Sequence, residues 1–190
     1  MTRFSRRHFL QTGATAAAVA AVPTIASAEC SSTLPPSIAN LKSMKDQAVP
    51  ITVEERNTRV ERARELMAAN NLQAIAITTG SSLTYYSAVK WWTSERLFAM
   101  VLPAKGKAFF VSPAFEEGRA REQISAGPFG KEAEVLTWQE NEDPYKLVAA
   151  GLKELGITTG VLGIEEKTQY VFSNGMAMHL PAMQTASATI

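Results

Sequence analysis

Few side chains in this sequence combine the type and the spacing that chemistry needs. The densest group is "YYSAVKWWTSERLF", residues 85–98, which holds two of the three tryptophans and two of the four tyrosines. Arg96 follows the tryptophans, with Glu95 beside it. Aromatic faces can lie against a substrate, and an arginine can take a carboxylate through two parallel hydrogen bonds. Trp91, Trp92 and Arg96 are therefore the candidate binding residues. The same residues also suit plain packing, with the tryptophans covering a sheet edge and Arg96 paired to Glu95 or another acid.

The remaining polar groups offer less. Acids cluster at Glu116-Glu117, at residues 140–143 and at Glu165-Glu166. Carboxylates can bind metals or move protons, but adjacent acids on helices and loops usually sit in solvent or cap helix ends. Glu165-Glu166 follows a strand end, where open α/β sheets often place function, yet a structural role is favoured there too. His179 has no second histidine to join it apart from His8 near the N-terminus. Zinc-ligand spacings, a G-x-S-x-G elbow and a P-loop are all missing. The three glycines between residues 156 and 163 do not follow the order of a dinucleotide fingerprint. The single cysteine, Cys30, allows no internal disulfide.

The N-terminus has a separate purpose. "SRRHFLQ", residues 5–11, sets the pair Arg6-Arg7 before Phe9 and Leu10, and an alanine-rich apolar stretch follows. Pro23 breaks that stretch, and Ala26-Ser27-Ala28 supplies a small-x-small cleavage site. This order resembles a Tat export signal over residues 1–28. The apolar stretch is shorter than the ~20 residues a membrane-spanning helix needs. Glu29 before Cys30 argues against a lipoprotein site. Export through the Tat translocase implies a periplasmic or extracellular protein, and removal of Arg3, Arg6 and Arg7 turns a slightly basic chain slightly acidic. A net charge of +1 over the whole chain and the lack of a basic stripe exclude a nucleic-acid binder. A hydrophobic content of 46% against 19% charged suits a globular fold rather than disorder.

The elements that must position the candidates follow from periodicity. Residues 29–50 contain Pro35-Pro36 and Pro50 without an apolar period, and read as a linker or arm. Thr52-Val53-Glu54-Glu55 is a capping box, and Val60, Ala63 and Met67 recur at helical spacing over residues 53–70. "QAIAIT" reads as a buried strand, and Gly80-Ser81-Ser82 opens a short helix. Residues 97–103 and 107–112 flank Ala104-Lys105-Gly106 as a hairpin. Ser112 is expected to cap a helix over residues 114–124, with Pro113 in its first turn. A strand at 133–138, a helix capped by Asp143-Pro144 and stopped by Gly156, and a strand at 160–164 come next. For residues 168–180 a helix is favoured over a hairpin, despite Asn174-Gly175. A last strand begins at Met183. The alternation predicts a single three-layer α/β domain over residues 51–190, a mixed sheet flanked by helices.

In this order, residues 51–190 resemble the N-terminal domain of the creatinase/prolidase family of metallopeptidases. The resemblance rests on "RVERARELMAANNLQAIAIT", "SSLTYYSAVKWWTSERLFAMVLPAKGKAFFVSP", "AFEEGRAREQI" and "GVLGIEEKTQYVF". Ser82 stands where the family usually has asparagine. The resemblance implies an exported Xaa-Pro peptidase of the prolidase or aminopeptidase P type. It implies that the dinuclear divalent metal (Mn, Co or Zn) lies in a following pita-bread domain and not in this chain. The chain by itself is then expected to be non-catalytic and to hold no metal. It would add homodimer contacts and a substrate-side rim for a proline-containing peptide, with Trp91, Trp92 and Arg96 at the matching positions. A stand-alone periplasmic binding or interaction module with the same fold is the alternative.

Overall fold

A computed structural model of the chain describes residues 34–188. The chain divides into two compact units, the second beginning at Val49. The first unit, as far as it is described, has one helical turn at Pro36–Ala39 and a 3-10 turn at Lys45–Gln47, with every residue exposed.

In the second unit the first helix starts where the capping residues predict. The Glu55 amide donates to Thr52 Oγ1 at 3.1 Å and opens α1, Val53–Ala69. The Glu55 carboxylate turns to Arg59 rather than back to the cap. Asn71 adopts a left-handed φ of 57° and sends the chain into β1, Leu72–Ile77. The short helix α2, Ser81–Ser87, ends at Ala88, also left-handed at 68°. Then come β2, Ala99–Pro103, and β3, Phe109–Pro113, paired antiparallel as a hairpin. A 3-10 turn, Ala114–Glu116, leads into α3, Glu117–Ser125. β4, Glu134–Trp138, α4, Pro144–Glu154, and β5, Gly160–Glu165, follow. Last are α5, Tyr170–His179, and β6, Met183–Ala188.

Two segments depart from their local sequence signals. Ser112 does not cap a helix. It lies inside β3 opposite Thr137, and Pro113 closes the strand opposite Trp138, so pairing with β4 claims both residues. Residues 170–179 are helical because burial overrides the local turn signal. The ring of Tyr145 packs against Gly175 so closely that a Cβ there would lie 2.5 Å from it.

The six strands form one sheet in the order β4-β3-β2-β1-β5-β6. β2 is antiparallel to both neighbours and all other pairs are parallel. Alternate residues of each strand face opposite layers. Ile75, Ile77, Met100, Leu102 and Phe110 meet Val60, Ala63 and Met67 of α1, Leu83 and Tyr86 of α2, and Ala120 and Ile124 of α3. Ala74, Ala76, Val101, Phe109 and Leu162 meet Val148 and Leu152 of α4 and Phe172 and Met176 of α5. The result is the three-layer α/β domain with a mixed sheet. Because only β2 is reversed, the loop entering it emerges at the end of the sheet where β1, β3, β4 and β5 finish. That loop carries Trp91, Trp92 and Arg96.

Candidate functional site

The loop is anchored at both ends. At its start, Thr84 Oγ1 donates to Val89 O at 2.9 Å, and Ser87 Oγ donates to Leu83 O at 2.6 Å while accepting from the Val89 amide. In its middle, Gln169 Nε2, from the segment after β5, donates to Ser94 O at 3.0 Å. Near its end, the Arg96 amide donates to Ser94 Oγ at 3.2 Å.

The two tryptophans have opposite environments. Trp91 is only 6% exposed. It stacks on Phe98 with centroids 4.1 Å apart, and the Arg119 guanidinium lies 4.3 Å from its centroid. Trp92 is 81% exposed. Arg96 reaches across the sheet end to Glu140 after β4, with Nε at 2.8 Å and Nη2 at 2.6 Å from Oε1, and it also pairs with Glu95. The Phe115 ring after β3 is 5.5 Å away. The hydrogen bond to Glu140 is the largest influence raising the Arg96 pKa. Hydrogen bonds from its own backbone amide and from Ser94, then the Arg96 charge, lower that of Glu95. The loop presents an exposed indole at Trp92 and, four residues on, a guanidinium held in a carboxylate network, with the exposed rings of Phe115 and Tyr170 on segments at the same end of the sheet.

The acidic clusters mostly have structural partners. Glu116 pairs with Arg119 and Glu117 with Arg121. Glu142 accepts from the Gln139 amide. Asp143 accepts from the Tyr145 amide as the cap of α4, and its second oxygen lies 2.7 Å from His179 Nε2. Glu165 and Glu166 make no ion pair among the described residues. No three His, Cys, Asp or Glu side chains converge there on a point that could hold a metal ion. Arg6, Arg7, Phe9, Leu10, Ala26, Ala28 and Cys30 lie outside the described residues.

A second feature escaped the sequence reading. A groove of about 530 Å³ runs between α1, α2 and the start of the loop, lined by Arg56, Arg59, Tyr85, Lys90 and Trp92 among others. Its signal was present in the spacing. Arg56 stands four residues before Val60 and so falls on the buried stripe of α1, where an arginine is out of place.

Comparison with known proteins adds the following. A family model for the creatinase/prolidase N-terminal domain matches residues 59–190. One for the TAT (twin-arginine translocation) pathway signal sequence matches residues 3–23. The chain is 38% identical over 90 residues to "Probable dipeptidase PepE" of Mycobacterium tuberculosis, covering 47% of this chain and 23% of that protein. It is 28% identical over 125 residues to an uncharacterized peptidase of Schizosaccharomyces pombe, covering 60% and 27%. The chain thus spans about a quarter of the length of these curated relatives. Among solved structures, dipeptidase PepE from Mycobacterium ulcerans superposes with a TM-score of 0.62 at 25% identity, over 72% of this chain and 35% of that one. The creatinase/prolidase N-terminal domain of an X-Pro dipeptidase from Streptococcus pyogenes superposes with a TM-score of 0.58 at 15% identity, over 69% and 93%.

Proposed function

Since the chain belongs to the creatinase/prolidase N-terminal domain family, we propose that it is the non-catalytic domain of an exported, metal-dependent Xaa-Pro peptidase. In this reading it supplies dimer contacts and a substrate-side rim, and a pita-bread domain carries the catalysis. Its signal sequence delivers it through the Tat translocase to the periplasm or beyond. The observation that carries the rim is the anchored loop that holds Trp92 outward at the carboxyl end of the sheet. Trp91 acts from below, as the packed base of the loop. Arg96, on the same loop, faces the proline-containing peptide once its acidic partners yield. The similarity to dipeptidases supports the substrate class.

The described residues do not fit the dinuclear Mn, Co or Zn centre that the family implies. Glu95, Glu116, Glu117 and Glu140 are engaged by arginines and His179 by Asp143, while Glu165 and Glu166 belong to no group of three possible ligands among the described residues. No catalytic step is therefore assigned to them, and the reading puts the metal pair in the pita-bread domain.

The test uses the full chain with Mn²⁺ and an Xaa-Pro dipeptide. No hydrolysis is expected. With a separately produced pita-bread domain of a PepE-type dipeptidase, the chain is expected to associate and lower KM, and Trp92→Ala and Arg96→Met to raise it again. Turnover by the chain alone, or a KM indifferent to both substitutions, overturns the reading.

A further inference from the structure

The groove beside α1 holds a charge that the fold leaves without a counter-ion. Arg56 is only 9% exposed. Its Nη1 donates to Tyr85 O at 2.8 Å and to Thr84 O. Those carbonyls belong to the last turn of α2, so the guanidinium closes a helix end whose partial negative charge is about half a unit. No carboxylate pairs with Arg56 among the described residues, and none accepts from its Nε or Nη2. Glu55, the nearest acid in sequence, is engaged by Arg59. A buried cation is costly unless it is paired.

The other walls fit the body of a ligand rather than its charge. Ile51 and the exposed Trp92 border the groove, and Tyr85 lies under the Arg59 guanidinium at 4.0 Å from the ring centroid. Lys90 stands at the rim with no ion pair among the described residues. The volume, about 530 Å³, lies within the range of small-molecule sites. Three cations line the groove and one acid adjoins it, so a ligand's charge must be negative.

We propose that this groove binds a small carboxylate with a flat apolar body. The carboxylate meets the free guanidinium nitrogens of Arg56 and the Lys90 ammonium, and the flat body lies against Tyr85, Ile51 and Trp92. The groove shares Trp92 with the proposed rim, but its binding is read without peptide or partner domain, so either reading can fail without the other.

The probe is 2-naphthoate, titrated into the full chain while the indole N–H resonance of Trp92 is followed by NMR and assigned with Trp92→Phe. The uncharged 2-naphthamide is the control. Saturable displacement of that resonance by naphthoate is expected, with the amide at least about ten-fold weaker, the scale of one charge-assisted contact. Lys90→Glu, an exposed change that leaves the fold intact, is expected to weaken naphthoate by a similar factor and to leave the amide unchanged. Arg56→Gln is expected to abolish the charge preference if it folds, and Lys90→Glu decides the matter if it does not. Equal binding of the two probes means an apolar patch only and overturns the proposal. So does a Trp92 resonance that naphthoate leaves in place, or naphthoate binding untouched by Lys90→Glu.

Discussion

Replacing Trp91 by alanine removes a ring that touches Phe98 on one face and Arg119 on the other. A loss of about 3–5 kcal/mol is expected, as for other large aromatic core truncations. Trp92→Ala, one residue on, is expected to change stability by less than about 0.5 kcal/mol, because its ring lies in solvent. Urea midpoints at constant m-value measure both changes. The sequence could not separate these neighbours, since the loop has no period to say which side chain turns inward. Arg56 was hidden differently: its stripe position was legible, but its two carbonyl partners come from α2, 28 and 29 residues away. Tyr86 gives a prediction in pH. Burial, chiefly, raises its pKa above the ordinary value near 10, so the folded state holds the phenol proton more tightly than the unfolded chain. That stabilisation is complete below the ordinary tyrosine pKa and is lost as pH rises through the folded one. Tyr86→Phe is therefore expected to flatten the alkaline fall in stability, read from denaturant midpoints between pH 9 and 11.

Helix ends were the most legible elements. Thr52 and Asp143 both accept first-turn amides as their residue types require, and Gly156 leaves α4 at a left-handed φ of 74°. Thr52→Ala is expected to cost about 1 kcal/mol. Asp143→Ala is expected to cost more, because it also removes the partner of His179 and loosens α4 from α5. Thermal denaturation of the two variants side by side tests the order. Gly175→Ala reverses the usual rule. Alanine normally favours a helix interior by up to about 1 kcal/mol, but here its methyl group would collide with the Tyr145 ring, and a net loss of about 1–3 kcal/mol is expected, also read from the thermal midpoint. The same crowding explains why Asn174-Gly175 looked like a turn in sequence. The glycine is there for a helix–helix approach, and local spacing does not report such a contact. Ser112 misled for a related reason, since only the register with β4 shows that strand pairing extends through Pro113.

At the level of the molecule, Trp92, Phe115 and Tyr170 expose large rings on segments at one end of the sheet. If that end forms dimer contacts, replacing all three by serine is expected to convert dimer to monomer in sedimentation velocity, and an unchanged sedimentation coefficient would move the contact elsewhere. The layered architecture was readable from the alternation of elements, but strand order was not, because sequence order does not say that β5 inserts beside β1. That insertion has a consequence for timing. Leu72 of β1 lies opposite Val161 of β5, so the middle of the sheet must wait for a partner made nearly ninety residues later, and loop closure over that distance is slow. A ribosome that has released only the first two-thirds of the chain holds a half-built sheet with an open seam at its centre. If the twin-arginine signal hands this domain over already folded, its sheet must close on the cytosolic side, after β5 has been made and before transit begins.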